Sequence, residues 1–151
     1  MYLHYLKRML DLTRLVDDGY CFACGTRNPI GLQLKFKQHG ERVEASFLPK
    51  REYQGYNGVL HGGIIATLLD EALAWASKPE GITVTASLEV RFKKPIPIGE
   101  PLKVIGRITE KKKYILYGES WIEDKSGVRL AAAHGKLVLV GSKEDASSVM
   151  D

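Results

Sequence analysis

Residues 58–77 read GVLHGGIIATLLDEALAWAS, and this segment determines the fold of the 151-residue chain. Over residues 64–75 it is apolar on nearly every side, which predicts a long helix buried against the rest of the protein. The helix begins with two helix-weakening glycines, Gly62–Gly63, and carries two acids, Asp70 and Glu71, in its middle. Carboxylates are rarely buried unless they are paired or functional, so these acids are the first candidates for a site.

The sequence on either side of this helix predicts a single α+β domain. Apolar residues at helical spacing predict a short amphipathic helix over residues 2–16. From Gly31 to Phe47, apolar and polar residues alternate on both sides of a QHGE turn, which predicts a β-hairpin. Four further strands are predicted after the helix, at residues 83–95, 102–110, 113–124 and 128–140. Short turns join these four strands, so we expect an antiparallel meander with the helix packed against it.

The chain is accordingly divided into three parts. Residues 1–20 are expected to form an N-terminal helical extension, residues 21–140 one folded domain and residues 141–151 a disordered tail. The tail is assigned as disordered because it has no hydrophobic periodicity. The length of the chain and its hydrophobic content of 44% are those of an ordinary globular protein with one core.

The charge of the chain is mildly basic, with a formal net charge of +4 and a pI near 9.0. Its lysines are scattered rather than clustered, so no nucleic-acid partner is expected. The N-terminal sequence mixes charges into its apolar residues, and no run approaches the roughly 18 apolar residues of a membrane span. We therefore expect no membrane partner and a cytoplasmic location, in which the two cysteines stay reduced.

The start of the helix, His61–Gly63, has the properties of an oxyanion site. First-turn N–H groups have no partner within the helix and lie at the positive end of the helix dipole, where they can stabilise an oxygen that becomes negative. Gly63 and Asp70 are seven residues apart, on nearly the same face but about 10 Å apart along the axis. A single chain would not bring both to one reacting carbonyl, so we expect an obligate dimer in which Asp70 lies near Gly63 of the partner subunit.

Two stretches carry a family resemblance: NGVLHGGIIATLLDEA, residues 57–72, and TASLEVRFKKPIPIGEPL, residues 85–102. With them the chain resembles the hotdog-fold acyl-CoA thioesterases of the phenylacetate-pathway type, in the 4-hydroxybenzoyl-CoA thioesterase superfamily. The resemblance covers roughly residues 21–140. It implies a hotdog fold, which is an antiparallel sheet wrapped around one long central helix. It also implies a homodimer or homotetramer that hydrolyses acyl-CoA thioesters between its subunits.

The resemblance further implies roles for individual residues. Asp70 matches the catalytic acid, which acts as a nucleophile or as a general base on water. Gly63 matches the residue whose backbone N–H polarises the thioester carbonyl, with Gly62 beside it. His61 matches the histidine that shapes the site, and Thr85 falls where relatives carry a hydroxyl residue that helps to position water.

The substrate implied by the resemblance is an acyl-CoA, with coenzyme A as part of the substrate and no separate cofactor. Arg91, Lys93 and Lys94 form a basic cluster at the end of the long strand and are the candidates to bind the coenzyme A phosphates. Some relatives carry an asparagine six residues before the histidine, where this chain has Gly55. Asn57 lies nearby and is kept as a substrate-binding candidate, although it does not replace that asparagine. The absence of that asparagine bears on how the substrate is oriented and not on the class of reaction.

Two other functions stay open on the sequence. One is a non-catalytic acyl-CoA-binding protein of the same fold, which does not need a carboxylate such as Asp70 at the thioester. The other is a hotdog hydratase or dehydratase, which needs a histidine and an acid that converge on the acyl chain. His61 and Asp70, nine residues apart, do not by themselves meet that requirement.

Cys21 and Cys24 form a Cys-x-x-Cys motif, the spacing of half a zinc knuckle or of a redox pair. A structural zinc takes four ligands and the chain has no second cysteine pair, so His4 or His39 could complete a site only by a coincidence of folding. A packing role is therefore favoured over zinc binding and over redox chemistry, and no metal site is predicted. His134 lies in a strand among small residues and is interpreted as a packed or edge histidine rather than a catalyst.

Overall fold

The computed structural model describes residues 15–144 and centres on one long helix, α1 (Gly62–Ser77). Six strands form one antiparallel sheet: β1 (Lys37–His39), β2 (Arg42–Phe47), β3 (Ile82–Phe92), β4 (Leu102–Lys112), β5 (Ile115–Glu123) and β6 (Arg129–Gly141). Their order across the sheet is β1-β2-β4-β5-β6-β3. The helix packs against strands β2 to β6, so the predicted α+β arrangement of a sheet around one central helix is confirmed.

Local sequence signals delimit α1 at both ends. His61 is the N-cap, and its ring Nδ1 accepts a hydrogen bond of 2.8 Å from the backbone N–H of Gly63. After the helix, a single 3-10 turn over Lys78–Glu80 contains a proline and leads into Gly81. The φ angle of Gly81 is 132°, a conformation that side chains disfavour. The helix therefore ends where its proline and glycine predict.

The inner side of α1 supplies the centre of the core. Leu68, Leu69 and Leu73 are fully buried there together with Ala72. The sheet approaches the helix so closely that a Cβ atom at Gly106 of β4 would lie 2.5 Å from the carbonyl oxygen of Ala72. Only glycine fits at that point of the strand, because any side chain would push the helix backbone away.

The strand order corrects one expectation from the sequence. Only β4, β5 and β6 form a meander, whereas β3 pairs with β6 rather than with β4. The connection over residues 93–101 contains three prolines and is too long for a tight hairpin. It runs past the start of α1, where the N–H of Leu60 donates to the carbonyl oxygen of Ile96 at 2.8 Å. Within residues 15–144, β3 pairs only with β6 and is therefore an edge strand.

The first predicted hairpin is shorter than its alternation indicates. Leu32, Leu34 and Phe36 are buried while the residues between them are exposed, as a period of two predicts. Ladder pairing nevertheless begins only at β1. The N–H groups of Leu32 and Leu34 donate instead to the carbonyl oxygens of Phe22 and Ala23, at 2.8 and 2.9 Å. Carbonyl groups of the loop after residue 20 thus accept hydrogen bonds from N–H groups that would otherwise be available to a longer β1 strand.

The ends of the chain differ in part from expectation. Residues 15–20 are irregular rather than helical, and the rest of the predicted N-terminal helix lies outside the described residues. The predicted tail, residues 141–151, begins too early, because Gly141 still belongs to β6 and pairs with β3. Residues 143–144 are helical, and residues 145–151 lie outside the described part. No helix in residues 15–144 combines the length and the hydropathy required to cross a bilayer.

Candidate active site

The first turn of α1 opens onto a cleft of about 400 Å³. His61, Gly63 and Thr67 lie on its helix side. His61 and Gly63 are exposed, and the His61 ring covers the first turn by accepting the Gly63 N–H. Because Nδ1 is the acceptor, the neutral ring carries its proton on Nε2, which is then a hydrogen-bond donor. A ligand oxygen can accept a hydrogen bond from the Gly63 N–H only when the His61 ring moves away from that N–H.

Asp70 is held in place by the neighbouring strand. The hydroxyl of Thr85, on β3, donates a hydrogen bond of 2.7 Å to Asp70 Oδ1. The register of β3 against β6 shifts between Thr85 and Ser87, and such bulges re-aim side chains next to active sites. Asp70 is half-buried and Thr85 is exposed, so the carboxylate is oriented and still open to solvent. Two residues placed in the site from the sequence are therefore in direct contact.

Two of the predicted residues on α1, Gly63 and Asp70, lie on one stripe of the helix together with Thr67 and Ala74, which were not predicted. Gly63, Thr67, Asp70 and Ala74 follow one another at spacings of four, three and four residues, which places them on one side of the helix. All four are exposed or half-buried, in contrast to the fully buried inner side. Asp70 does not line the cleft at Gly63, in agreement with a separation of about 10 Å along the helix axis. One chain thus presents two separate groups of candidate residues.

Several residues of the cleft escaped the sequence reasoning: Glu52, Tyr53, Gln54 and Thr67. The first three lie in a segment without hydrophobic periodicity, which forms a short 3-10 helix over Arg51–Tyr53 with Gln54 at its C-terminal end. Gln54 Oε1 accepts a hydrogen bond of 3.1 Å from the N–H of Gly58. Thr67 stands four residues after Gly63 and donates to its carbonyl oxygen at 2.9 Å, so helical spacing could have identified it. Asn57, which was predicted to bind substrate, is exposed in the adjacent turn and does not line this cleft.

The predicted basic cluster is only partly brought together. Arg91 and Lys93 line a cleft of about 120 Å³ that they share with Arg129 and His134, whereas Lys94 is not among its lining residues. The interpretation of His134 as a packed or edge histidine is wrong. β6 lies between β5 and β3, and the alternation of the strand directs His134 to the exposed face while its two neighbours point inward.

Glu71 lies in an environment unlike that of Asp70. Its Oε1 accepts a hydrogen bond of 3.1 Å from the indole Nε1 of Trp75 and lies 3.8 Å from Sγ of Cys21. Cys24 completes this partly buried group. Burial and the Glu71 carboxylate raise the pKa of the Cys24 thiol well above its usual range. A thiol that stays protonated is a poor nucleophile, which disfavours redox chemistry at the Cys-x-x-Cys motif.

With this geometry in view, comparison with known proteins identifies the family. The sequence model of the thioesterase superfamily matches residues 57–131, a segment that contains every predicted site residue. A thioesterase superfamily protein of known structure from Shewanella loihica PV-4 is 30% identical, over 70% of this chain and 89% of that chain, with a TM-score of 0.59. The chain belongs to the thioesterase superfamily.

Other relatives extend the comparison within the thioesterase superfamily. Acyl-coenzyme A thioesterase THEM4 of Rattus norvegicus is 40% identical over 93 residues, which are 62% of this chain and 37% of the rat protein. The matched segment therefore spans well under half the length of that relative. The structure of smu.793 from Streptococcus mutans UA159 bound to acetyl CoA is 19% identical, over 73% of this chain and 90% of that chain, with a TM-score of 0.68. The structural matches confirm the predicted hotdog fold.

Proposed function

We propose that this chain is an acyl-CoA thioesterase that hydrolyses its substrate to a free acid and coenzyme A, in a site shared by two copies. The observation that supports this most is the hydrogen bond from Thr85 to Asp70, which presents an oriented carboxylate at an uncovered stripe of α1. The name of the rat relative and the acetyl CoA of the streptococcal structure favour a CoA ester as substrate.

Asp70 is the group that drives attack on the thioester carbonyl. As a general base, its carboxylate takes a proton from water while the water oxygen bonds to the carbonyl carbon. As a nucleophile, it bonds to that carbon itself and forms an anhydride that water then hydrolyses. In either course the carbon–sulfur bond breaks, and the departing CoA thiolate takes up a proton. Thr85 holds the Asp70 carboxylate in one orientation and leaves its remaining acceptor positions for water.

The first turn of α1 supplies the positive pole for the carbonyl oxygen. The N–H groups of Gly62 and Gly63 point out of the helix start, where the dipole favours negative charge. Substrate must displace the His61 ring from the Gly63 N–H, and the ring can then offer its Nε2–H to the same ligand. The cleft of about 400 Å³ beside these residues has room for the thioester group.

Two uncovered surfaces favour a dimer. One is the stripe of α1 that contains Gly63 and Asp70, and the other is the free edge of β3, which is 11 residues long. Long edge strands are usually covered, and a second copy of the chain can extend the sheet there. Two α1 helices that run antiparallel about a two-fold axis would place Asp70 near Gly63 of the partner subunit. A homotetramer can form by pairing two such dimers.

The direct test of the activity is release of free thiol from a series of acyl-CoAs with short, long, branched and aryl acyl groups. We expect release from at least one ester, with no added cofactor. Binding of the esters without release would contradict the proposal and favour a non-catalytic binder. Hydration of an enoyl-CoA without thiol release would instead favour a hydratase.

The shared site is tested by mixing two inactive variants. Asp70→Asn removes the base, and Gly63→Pro removes the backbone N–H at a first-turn position that tolerates proline. If each site uses one residue from each chain, a 1:1 mixture refolded together should regain about a quarter of wild-type turnover, because half of the dimers carry one intact site. Gly63→Ala, which keeps the N–H, is the control for Gly63→Pro. No regain in a verified mixed dimer would contradict the shared site.

The cleft lined by Arg91, Lys93 and Arg129 is the proposed binding site for the coenzyme A phosphates. Lys93→Glu should raise KM for an acyl-CoA by about tenfold, in line with loss of a charge-assisted contact. KM for the same acyl group on N-acetylcysteamine, which carries no phosphate, should not change. Lys37→Glu is the matched control, because β1 lies at the opposite edge of the sheet from β3. Equal effects on both substrates would exclude a phosphate contact at Lys93.

A further inference from the structure

We propose that Cys21, Cys24 and Glu71 bind a zinc ion between the Cys-x-x-Cys turn and α1. The site lies apart from Asp70 and is not required for the thioesterase chemistry proposed above. The inference revises the expectation that the chain has no metal site. That expectation considered only cysteine and histidine as ligands, whereas the third ligand is a carboxylate of the helix, 50 residues after Cys21.

The distances within the group fit a tetrahedral metal. One ligand atom from each residue lies within 4.8 Å of the other two, and Cys21 Sγ is 3.8 Å from Glu71 Oε1. In a tetrahedral zinc site with Zn–S bonds of about 2.3 Å and Zn–O bonds of about 2.0–2.2 Å, neighbouring ligand atoms are about 3.5–3.8 Å apart. Small side-chain rotations would therefore complete the three-residue site. Water can occupy the fourth position.

The backbone of the cysteine turn is arranged to hold two sulfurs on one side. The N–H of Cys24 donates to Cys21 Sγ at 3.4 Å, and the N–H of Gly25 donates to the carbonyl oxygen of Cys21 at 2.8 Å. A Cβ atom at Gly25 would lie 2.5 Å from the backbone N of Cys21, so the turn has no space for a side chain there. An N–H bond to sulfur stabilises a metal-bound thiolate, because it places positive charge beside it.

Glu71 is the carboxylate that this turn faces. The indole of Trp75 fixes Glu71 Oε1 by a hydrogen bond of 3.1 Å, as an outer-sphere donor does for a metal ligand. Among the ion pairs of residues 15–144, none includes Glu71, although the residue is half-buried. Two histidines were considered from the sequence. His39 lies beside Glu44 and is not a member of the group, and His4 lies outside the described residues.

Zinc binding leaves the net charge of the group unchanged. Without metal, the group holds two protonated thiols and one carboxylate, with a net charge of −1. Each thiol loses its proton to solvent on binding, so that two thiolates, one carboxylate and Zn²⁺ again sum to −1. No uncompensated charge is therefore added to a partly buried place, which favours a divalent ion over a monovalent one.

The experiment is a titration of the reduced full-length chain with Co²⁺, followed by displacement with Zn²⁺. We expect one equivalent of Co²⁺ to produce a sulfur-to-cobalt charge-transfer band and visible bands of tetrahedral intensity, and one equivalent of Zn²⁺ to abolish them. Cys21→Ser and Cys24→Ser should each lose the charge-transfer band of a two-sulfur site. Glu71→Gln should weaken binding at least about tenfold. The absence of a charge-transfer band in the wild-type chain would overturn the proposal.

Glu123→Gln is the matched control. Glu123 also accepts a hydrogen bond from a tryptophan indole, from Trp121 at 3.3 Å, but it belongs to no cysteine group among the described residues. The Glu123→Gln variant should bind Co²⁺ and Zn²⁺ with the affinity of the wild-type chain. If Glu71→Gln binds metal as the wild type does, Glu71 is not a ligand and the proposal fails.

A second measurement needs no variant and so does not depend on their folding. X-ray absorption of the zinc-loaded wild-type chain should give two sulfur ligands at about 2.3 Å and two oxygen ligands at about 2.0–2.2 Å. Four sulfur ligands would mean that two chains share a metal, and no sulfur ligand would mean adventitious binding. Either of these results would contradict the proposed site. The thiol-release assay with and without zinc separates this test from the proposed function, since turnover should not require the metal.

Discussion

Asp70 and Glu71 are neighbours in sequence, but they lie in two unlike regions of the molecule. Asp70 accepts a hydrogen bond from a hydroxyl on the exposed edge strand β3. Glu71 accepts one from an indole and lies beside two thiols in a partly buried pocket. One step along a helix turns the side chain by about 100°, which is enough to separate the two regions. The chemistry of each carboxylate is therefore set by the element it faces rather than by the motif that contains it.

The two regions also differ in what they can exchange with solvent. The Thr85 side of Asp70 is exposed, so water can reach the carboxylate and a proton can leave it. Both cysteines beside Glu71 are half-buried. Burial and the Glu71 carboxylate raise the pKa of the Cys24 thiol, so its surroundings favour a neutral thiol or a bound cation over a free thiolate. The first region suits proton transfer and the second suits metal binding or packing.

The largest expected effect separates the two acids in catalysis. Asp70→Asn should lower kcat in the thiol-release assay by at least about 10²-fold, because it removes an acid–base or nucleophilic group. Glu71→Gln should lower it by less than about tenfold, since the amide oxygen can still accept from Trp75 and the reacting carbonyl is elsewhere. Both variants should elute as the wild type does in gel filtration. Similar losses for the two variants would remove the distinction between the regions.

The next effect concerns stability on the Glu71 side. Trp75→Phe keeps an aromatic ring against Phe36, whose ring centroid is 5.8 Å from that of Trp75, but it removes the indole donor to Glu71. Leaving a half-buried carboxylate without this partner should cost about 1–3 kcal/mol in free energy of unfolding, measured with urea. kcat should stay within about twofold of wild type. In the double variant with Glu71→Ala, which removes the acceptor, the two costs should not add, because both changes remove the same hydrogen bond.

A smaller effect is expected for the hydroxyl that orients Asp70. Thr85→Val keeps the shape of the side chain and removes the donor, so kcat should fall about tenfold, as for loss of one hydrogen bond to a charged group. KM should change little, since Thr85 acts through Asp70 rather than on the substrate. Thr85→Ser keeps the hydroxyl and should retain most of the activity. A valine variant as active as the serine variant would show that Asp70 needs no such donor.

The smallest effect concerns Glu80, an acid that has an ionic partner. Lys111 Nζ lies 2.6 Å from Glu80 Oε2, and this contact lowers the pKa of the carboxyl group. A lowered pKa in the folded chain adds stability above the ordinary glutamate pKa of about 4.3, and this is lost as pH falls through the folded value. Both side chains are partly exposed, so the contribution should be below about 1 kcal/mol.

The contribution of Glu80 is measured by urea unfolding at a series of pH values below about 6. Glu80→Gln should slightly reduce the loss of stability on acidification. Lys111→Met should reduce it nearly as much, because Lys111 is the larger of the two lysine contributions that lower this pKa and Lys143 is the smaller. An unchanged loss in Lys111→Met would mean that Lys111 is not the cause of the pKa shift.

The sequence was sufficient for the features that depend on local pattern. The helix and its limits follow from apolar periodicity and from the glycines and proline at its ends. The family resemblance placed Asp70 and Thr85 in one site without predicting a contact between them, and the structure brings them together. The alternation of Leu32, Leu34 and Phe36 also predicted their burial correctly.

Features that depend on distant segments could not be obtained in this way. The pairing of β3 with β6 depends on the course of residues 93–101, for which periodicity gives no direction. The cleft residues 52–54 lie in an aperiodic loop that is positioned by the helix start. The approach of Cys21 to Glu71 joins residues 50 positions apart and results from packing of the loop on the helix. Each of these is a tertiary contact without a local sequence signal.

The adjacency of Asp70 and Glu71 has a consequence for how this chain can evolve. A single-residue insertion between Gly63 and Asp70 would put a leucine beside Thr85 and move Asp70 towards the cysteines. A single-residue deletion would put Glu71 beside Thr85 and leave an alanine at the cysteines. Substitutions can be tolerated along this helix, but a change in its length would disturb both regions at once. Insertions and deletions should accumulate instead in exposed turns such as those at Gly40 and Gly127, where an added Cβ atom would meet no neighbour within 4 Å.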